Sequence, residues 1–310
     1  MNFTNIGKDV LLMAANNWWD VLPERYTIID GCKIGYLDYT RQDNKSDAIN
    51  TFPILLLLHG IGASYKRWIK VAPELSKYFR VIVPDIIGFG YSCKPRADYT
   101  IDFFIEFLVK FLKNLNIIVE NNDNDNSGGN NKISIAGSSF GGLLAAEFAS
   151  RYGNLIEKLV LVSPVGTSMS APTSEFNKYR YAALFPTYDN ALNALRTMVY
   201  DPSIITKEMA EDFVKRMLLE NARFAFRSTL DAIKDNRNLP QRLSKISTPT
   251  QVVWGRNDRI IPYKYQLLEY MEIPNIRIDI INECGHLPPL EKPSKFNKTI
   301  MDFCGVDDSE

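Results

Sequence analysis

The stretch that constrains this chain most is Ile54-Leu-Leu-Leu-Leu58, followed at once by His59-Gly60. An apolar run without a polar interruption fits a strand covered on both faces, as in a parallel sheet flanked by helices. The pattern then recurs. A helix over 67–77 leads to a strand at 80–83, a helix at 101–115, a strand at 132–135, a helix at 140–152 and a strand at 158–162. Beyond residue 248 come a strand at 250–254, a helix at 263–271, a strand at 277–281 and a helix at 293–303. Upstream, strands are predicted at 26–29 and 33–39, after an amphipathic helix over 7–19 whose Trp18-Trp19 pair reads as packing onto the body. Strands alternating with helices predict an α/β fold with a mostly parallel sheet and helices on both faces.

Two segments interrupt the alternation. Residues 120–131 hold no apolar side chain. Such a segment buries nothing to offset the entropy of being ordered, so it reads as a floppy insertion. It enters the N-terminal end of the strand at 132–135, whereas ligands bind at the C-terminal strand ends of such sheets. Replacing 121–131 with a short Gly-Ser turn is therefore expected to leave turnover within a fewfold. A large loss of turnover in a variant with unchanged circular dichroism would place the segment at the site instead.

The second break, 166–247, has helical periodicity and no strand pattern, with Met209, Phe213 and Met217 on one face at i, i+4 and i+8. Inserted between two strands of one sheet, it must rise from their ends. The chain thus divides into a core domain, 1–165 and 248–310, and a helical cap domain, 166–247. The cap is rich in aromatics: Phe176, Tyr179, Tyr181, Phe185, Tyr188, Tyr200, Phe224 and Phe226. These glue the cap to the core or line a site beneath it.

Lysine plus arginine and aspartate plus glutamate number 36 each. A balanced surface offers no field to attract nucleic acid or an anionic membrane. The four cysteines, Cys32, Cys93, Cys284 and Cys304, form no CxxC pair and have no metal-ligand spacing from a histidine. They read as reduced, mostly buried thiols, and no metal or other cofactor is expected. The apolar run at 10–15 is too short for a signal peptide and follows Lys8-Asp9. No run reaches the roughly 18 apolar residues of a membrane span. The expectation is a cytoplasmic protein acting on a small molecule, without integral membrane association; a homodimer is compatible with all of this.

The chemistry centres on Gly137-Ser138-Ser139-Phe140-Gly141. It fits G-x-S-x-G with Ser139 in the middle. Ser138 in the middle would need glycines where Ala136 and Phe140 stand. Alone the pattern is weak, since chance supplies about one match in ten chains of this length. Its setting between an apolar strand and a helix strengthens it: a sharp strand–turn–helix would hold the Ser139 hydroxyl above the sheet edge. A serine needs a base. Of the two histidines, His286 lies in a loop after the last predicted strand, on the same edge as Ser139, whereas His59 opens a glycine turn whose amides matter more than its ring. Asp258 follows the strand at 250–254, so the order Ser139, Asp258, His286 is that of a triad built on such a sheet. Asp85 precedes the serine and reads as a loop anchor; Glu283 is too near His286 along the loop to face it. The amides of Ile61 and Phe140 would hold a developing oxyanion, with Gly60 and Gly62 allowing close backbone approach.

His59-Gly60, Pro84-Asp85-x-x-Gly88-x-Gly90-x-Ser92, Gly137-x-Ser139-x-Gly141-Gly142, Gly255-x-x-Asp258 and Gly285-His286 occur in this order over about residues 53–300. Together they resemble the α/β-hydrolase superfamily. The resemblance implies an eight-stranded sheet, a Ser-His-Asp triad, an oxyanion hole from Ile61 and Phe140, and a cap matching the helical insertion. The stretch at 199–208 resembles the cap of meta-cleavage-product hydrolases, which break carbon–carbon bonds of dienoic keto acids. Three positions depart from them: Ser138 stands where those enzymes have Asn, Leu287 where they have Trp, and Phe213 where they place an Arg for the substrate carboxylate. A buried site without that cation would pay heavily to take up a carboxylate. The sequence therefore favours a serine carboxylesterase acting on small or medium acyl esters, with Gly60, Ser138, Phe213 and Leu287 around the substrate. Carbon–carbon hydrolysis is the alternative. A lactonase or cofactor-free haloperoxidase could use the same triad, and a ligand receptor could keep the fold. A dehalogenase would need an aspartate at Ser139.

Overall fold

The protein's structure, a computed structural model, describes residues 25–39, 52–118, 132–166 and 172–306. The predicted helix at 7–19 with Trp18-Trp19 and the insertion at 120–131 lie outside these residues. Strand β3 (Ile54–Leu58) is buried along its whole length. Leu56 and Leu58 enter one hydrophobic cluster, Leu55 and Leu57 the other. Alternate side chains thus serve two cores, one on each face of the sheet.

Seven further strands complete that sheet: β1 (Arg25–Ile29), β2 (Cys32–Tyr39), β4 (Arg80–Pro84), β5 (Ile133–Ser138), β6 (Ile156–Val162), β7 (Thr250–Gly255) and β8 (Ile276–Ile281). The spatial order is β1-β2-β4-β3-β5-β6-β7-β8. β1 pairs antiparallel with β2, and β2 with β4; every other pairing is parallel. The chain is an α/β fold with a mostly parallel eight-stranded sheet. Parallel strands need crossovers, and helices supply them. In the core the crossover helices are α1 (Ala72–Leu75), α2 (Ile101–Asn114), α3 (Phe140–Tyr152) and α9 (Tyr263–Tyr270), and α10 (Pro288–Glu291) and α11 (Pro293–Cys304) follow the last strand. Helix α2 starts where the Thr100 hydroxyl accepts the Phe103 amide at 3.1 Å, and buries Ile101, Phe104, Ile105, Leu108, Phe111 and Leu112 along one stripe.

The helix predicted at 67–77 is not one helix. A 3₁₀ turn, Tyr65–Trp68, is followed by the short α1. Pro73 has no N–H to donate backward, and the residues before it close i to i+3 bonds, Ile69 to Lys66 and Val71 to Trp68.

Between β6 and β7 the described chain contains helices and no strand: α4 (Ser174–Leu184), α5 (Tyr188–Met198), α6 (Lys207–Met217), α7 (Ala222–Asp235) and α8 (Leu239–Leu243). Three begin alike: Thr173, Thr187 and Thr206 each accept the amide three residues on. Met209, Phe213 and Met217 are buried on α6 as their spacing requires. Glu147 of α3, fully buried, receives Arg242 through two bonds of 2.8 Å and the Asn236 amide at 2.9 Å, tying the end of this helical segment to the sheet layer. All four cysteines are free thiols. No helix among the described residues is long and apolar enough to cross a membrane.

Candidate active site

Strand β5 stops at Ser138 and helix α3 starts at Phe140, so Ser139 alone must turn the chain. It does so at φ 56°, ψ −117°, a conformation costly for a residue with a side chain. Four backbone bonds hold it: its N–H donates to Val162 at 2.8 Å, and its carbonyl accepts Gly142, Leu143 and Val165 at 2.9, 3.1 and 3.2 Å. The flanking glycines are sterically required. A Cβ on Gly137 would lie 2.1 Å from the Gly141 carbonyl oxygen, and one on Gly141 would lie 2.3 Å from that of Leu58. Ser139 keeps partial exposure, whereas Ser138 is buried and its Oγ has no partner among the described residues.

His286 follows β8, and its Nδ1 lies 2.7 Å from Asp258 Oδ2. Asp258 is held from the other side. Its Oδ1 accepts the amides of Ile260 and Ile261, both at 2.9 Å, and Oδ2 also accepts Trp254 Nε1 at 3.0 Å. The loop carrying His286 is pinned by a residue the sequence reading missed. Glu291 accepts the amides on both sides of His286, Gly285 at 2.8 Å and Leu287 at 2.9 Å, and that of Tyr200 at 2.7 Å. A carboxylate five residues past the histidine, beyond Pro288-Pro289, was the available signal. The His286 amide itself donates to Met198 at the end of α5, at 2.6 Å. Glu291→Ala is expected to lower kcat by on the order of 10- to 100-fold through a misplaced imidazole, with a smaller change in KM; steady-state kinetics on the folded variant decide this. An unchanged kcat would show that the loop holds its shape without Glu291.

The other histidine is occupied. His59 Nδ1 donates to the Gly60 carbonyl at 2.8 Å and Nε2 accepts the Ile86 amide at 3.0 Å. Complete burial pushes it down to about 3, so it stays neutral around pH 7. Asp85 holds loops: its carboxylate accepts the amides of Tyr65 at 2.7 Å and Tyr91 at 2.6 Å. Its burial raises it to about 6. Glu283 is exposed and faces Lys292 at 3.8 Å.

The glycine turn after β3 lies directly over Ser139. A Cβ on Gly60 would stand 3.2 Å from Ser139 Cβ and 3.6 Å from its Oγ. Phe140, as the first residue of α3, has an N–H without an intrahelical acceptor. The helical insertion grips the turn's carbonyls: Tyr179 Oη donates to Ile61 at 2.7 Å, and Arg216 Nη1 to Gly62 at 2.6 Å. Arg216 Nε also meets Asp212 at 2.7 Å, and Asp212 accepts Lys66 at 2.8 Å and Tyr91 Oη at 2.7 Å. These cations hold Asp212 down at about 2 against the opposing effect of burial.

A cavity lies between turn and insertion. Its wall includes Gly62, Ala63 and Ser64 of the turn, Tyr179, Leu195, Ile205, Met209 and Phe213 of the insertion, and Leu287 and Leu290 beyond His286. Of the predicted site residues only Phe213 and Leu287 are in this wall; Gly60, Ile61, Ser138, Ser139, Phe140, Asp258 and His286 are not. The wall also carries Lys66, Arg67 and Arg216 and no carboxylate. Phe213 lines this cavity, Arg216 stands on the same helix one turn later, and Arg67 comes from the core, so the wall is not without cations. Of the aromatics singled out in 166–247, Tyr181, Phe185, Tyr188, Tyr200 and Phe224 are exposed, Phe176 and Phe226 are buried, and Tyr179 reaches the cavity.

The family model described as alpha/beta hydrolase fold matches residues 53–293. A 2-hydroxy-6-oxo-2,4-heptadienoate hydrolase of Pseudomonas putida is 27% identical over 263 residues, 82% of this chain and 90% of that protein. A 2-hydroxy-6-oxononadienedioate/2-hydroxy-6-oxononatrienedioate hydrolase, also of Pseudomonas putida, is 30% identical over 268 residues, 80% of this chain and 87% of its own length. The crystal structure of a mutant meta-cleavage product hydrolase superposes with a TM-score of 0.74 at 25% identity, covering 91% of this chain and 97% of that one.

Proposed function

Because this chain belongs to the α/β-hydrolase family, we propose that it is a serine hydrolase that opens the carbon–carbon bond beside a ketone in an oxo acid. Ser139 is the nucleophile, His286 the base and Asp258 the orienting carboxylate, with the segment 166–247 as a cap over them. The observation that carries the acidic substrate is the cavity wall of three cations and no carboxylate beside the glycine turn. It agrees with the oxo-acid hydrolases that the two Pseudomonas relatives are named as.

In this scheme Ser139 Oγ adds to the ketone carbon while His286 Nε2 takes its proton. The oxygen's new charge lies on the amides of Ile61 and Phe140, each worth about 2.7–4 kcal/mol in such a site. Collapse breaks the bond to the neighbouring carbon. Once the 2-hydroxydienoate has tautomerised to its 2-oxo form, that carbon leaves as a dienolate conjugated to the 2-oxo group and receives the proton from His286. Water, deprotonated by the same imidazole, then releases the acyl group from Ser139. Asp258 keeps the Nδ1 proton in place so that Nε2 is free to accept.

Ester hydrolysis is the second reading, favoured by Ser138 and Leu287 at the two positions that depart from the carbon–carbon hydrolases. It uses the same residues, with an alkoxide in place of the enolate. The deciding measurement is kcat/KM for the seven-carbon ketone 2-hydroxy-6-oxo-2,4-heptadienoate against a p-nitrophenyl ester of similar chain length. A tenfold or greater preference for the oxo acid is expected; the reverse preference would leave the esterase. Failure of a fluorophosphonate to label Ser139 would remove both.

A further inference from the structure

Three cations face the cavity, and two are already engaged. Lys66 pairs with Asp212 at 2.8 Å; Arg216 pairs with Asp212 at 2.7 Å and donates to the Gly62 carbonyl at 2.6 Å. The third, Arg67, makes no side-chain hydrogen bond and no ion pair with any described residue, and its Nε is buried without a partner. Among the groups acting on its charge is Glu291, whose two oxygens are taken by three backbone amides. Arg67 thus faces the cavity without a hydrogen-bonded or ion-paired partner among the described residues, in a wall otherwise formed by Leu195, Ile205, Met209, Phe213, Leu287 and Leu290.

Arg67 is half-buried as a residue, but its Nε is shut off from solvent with no acceptor, which disfavours an empty cavity. Burial accordingly pushes Arg67 down to about 10, still charged at pH 7. Its planar fork matches a carboxylate with two parallel N–H donors. We infer that Arg67 is the anion anchor of this cavity and takes the carboxylate of a monoanionic ligand whose apolar chain lies along the leucine, methionine and phenylalanine wall. The anchor comes from the turn after Gly62 on the core, whereas the cap arginine, Arg216, is a positioning residue that holds Asp212 and the turn itself.

This inference rests on the cavity being the substrate pocket, so it is tested by binding, which does not depend on turnover. Titration calorimetry and thermal melting compare hexanoate with its neutral isostere hexanamide. Wild type should bind hexanoate about tenfold or more tightly than hexanamide, and hexanoate should raise its melting temperature. Arg67→Met should erase that difference, and Arg67→Lys should keep part of it. Without ligand, Arg67→Met should melt no lower than wild type, because it removes a buried Nε that has no acceptor; a guanidinium needed for folding would give the opposite. Equal binding of both compounds to wild type, binding of neither at millimolar concentration, or an unchanged preference in Arg67→Met would overturn the assignment. A Ser139 that resists labelling would sink the catalytic reading while leaving these results in place.

Discussion

Ser139→Ala should lower kcat by on the order of 10⁵- to 10⁶-fold, the size of loss seen when the nucleophile of a triad is deleted. The residue is suited to a clean test. Alanine at φ 56° is strained as serine is, and the four backbone bonds of the elbow do not involve Oγ. Melting temperature and circular dichroism should therefore match wild type, so lost turnover cannot be attributed to unfolding. Residual catalysis of about 10³- to 10⁴-fold over water would come from the turn amides and binding alone. Turnover within tenfold of wild type would eliminate the acyl-enzyme route.

Asp258→Asn should cost about 10⁴-fold in kcat while changing shape little. The reason lies in the four donors around the carboxylate. Ile260 and Ile261 donate to Oδ1, and Trp254 Nε1 and His286 Nδ1 converge on Oδ2. An asparagine that gives its oxygen to the two amides must turn its NH₂ toward His286. Nδ1 can then only accept, the proton moves to Nε2, and the base loses the lone pair that Ser139 needs. The same NH₂ would oppose the Trp254 N–H, so some loss of stability should accompany the loss of rate. The signature is a collapsed kcat with KM within a fewfold. A variant with more than a tenth of wild-type kcat would show that Asp258 does not set the tautomer.

Much of the frame was legible before any coordinates. The four consecutive leucines of β3 could only be a strand buried on two faces, and the repeats that follow could only be its parallel neighbours. Gly137 and Gly141 distinguish Ser139 from Ser138 because a side chain at either glycine would strike backbone. The helix at 67–77 misled because its apolar spacing is genuine while Pro73 denies it a hydrogen bond. Phe213 is a different case: an ungapped comparison sees one position at a time, and a charge at a cavity wall can be supplied one helical turn on, or from another element.

What this sequence determined by itself is everything carried by neighbours along the chain: strand and helix periods, the glycines that permit the elbow, and the order in which serine, aspartate and histidine arrive. Only the tertiary structure decided which charged groups find partners. Lys66 and Asp212, 146 positions apart, form an ion pair, and Glu291 is consumed by three amides, while Arg67 has no hydrogen-bonded or ion-paired partner among the described residues. Charged groups pair across a volume and not along a chain, so no local pattern could reveal that pairing.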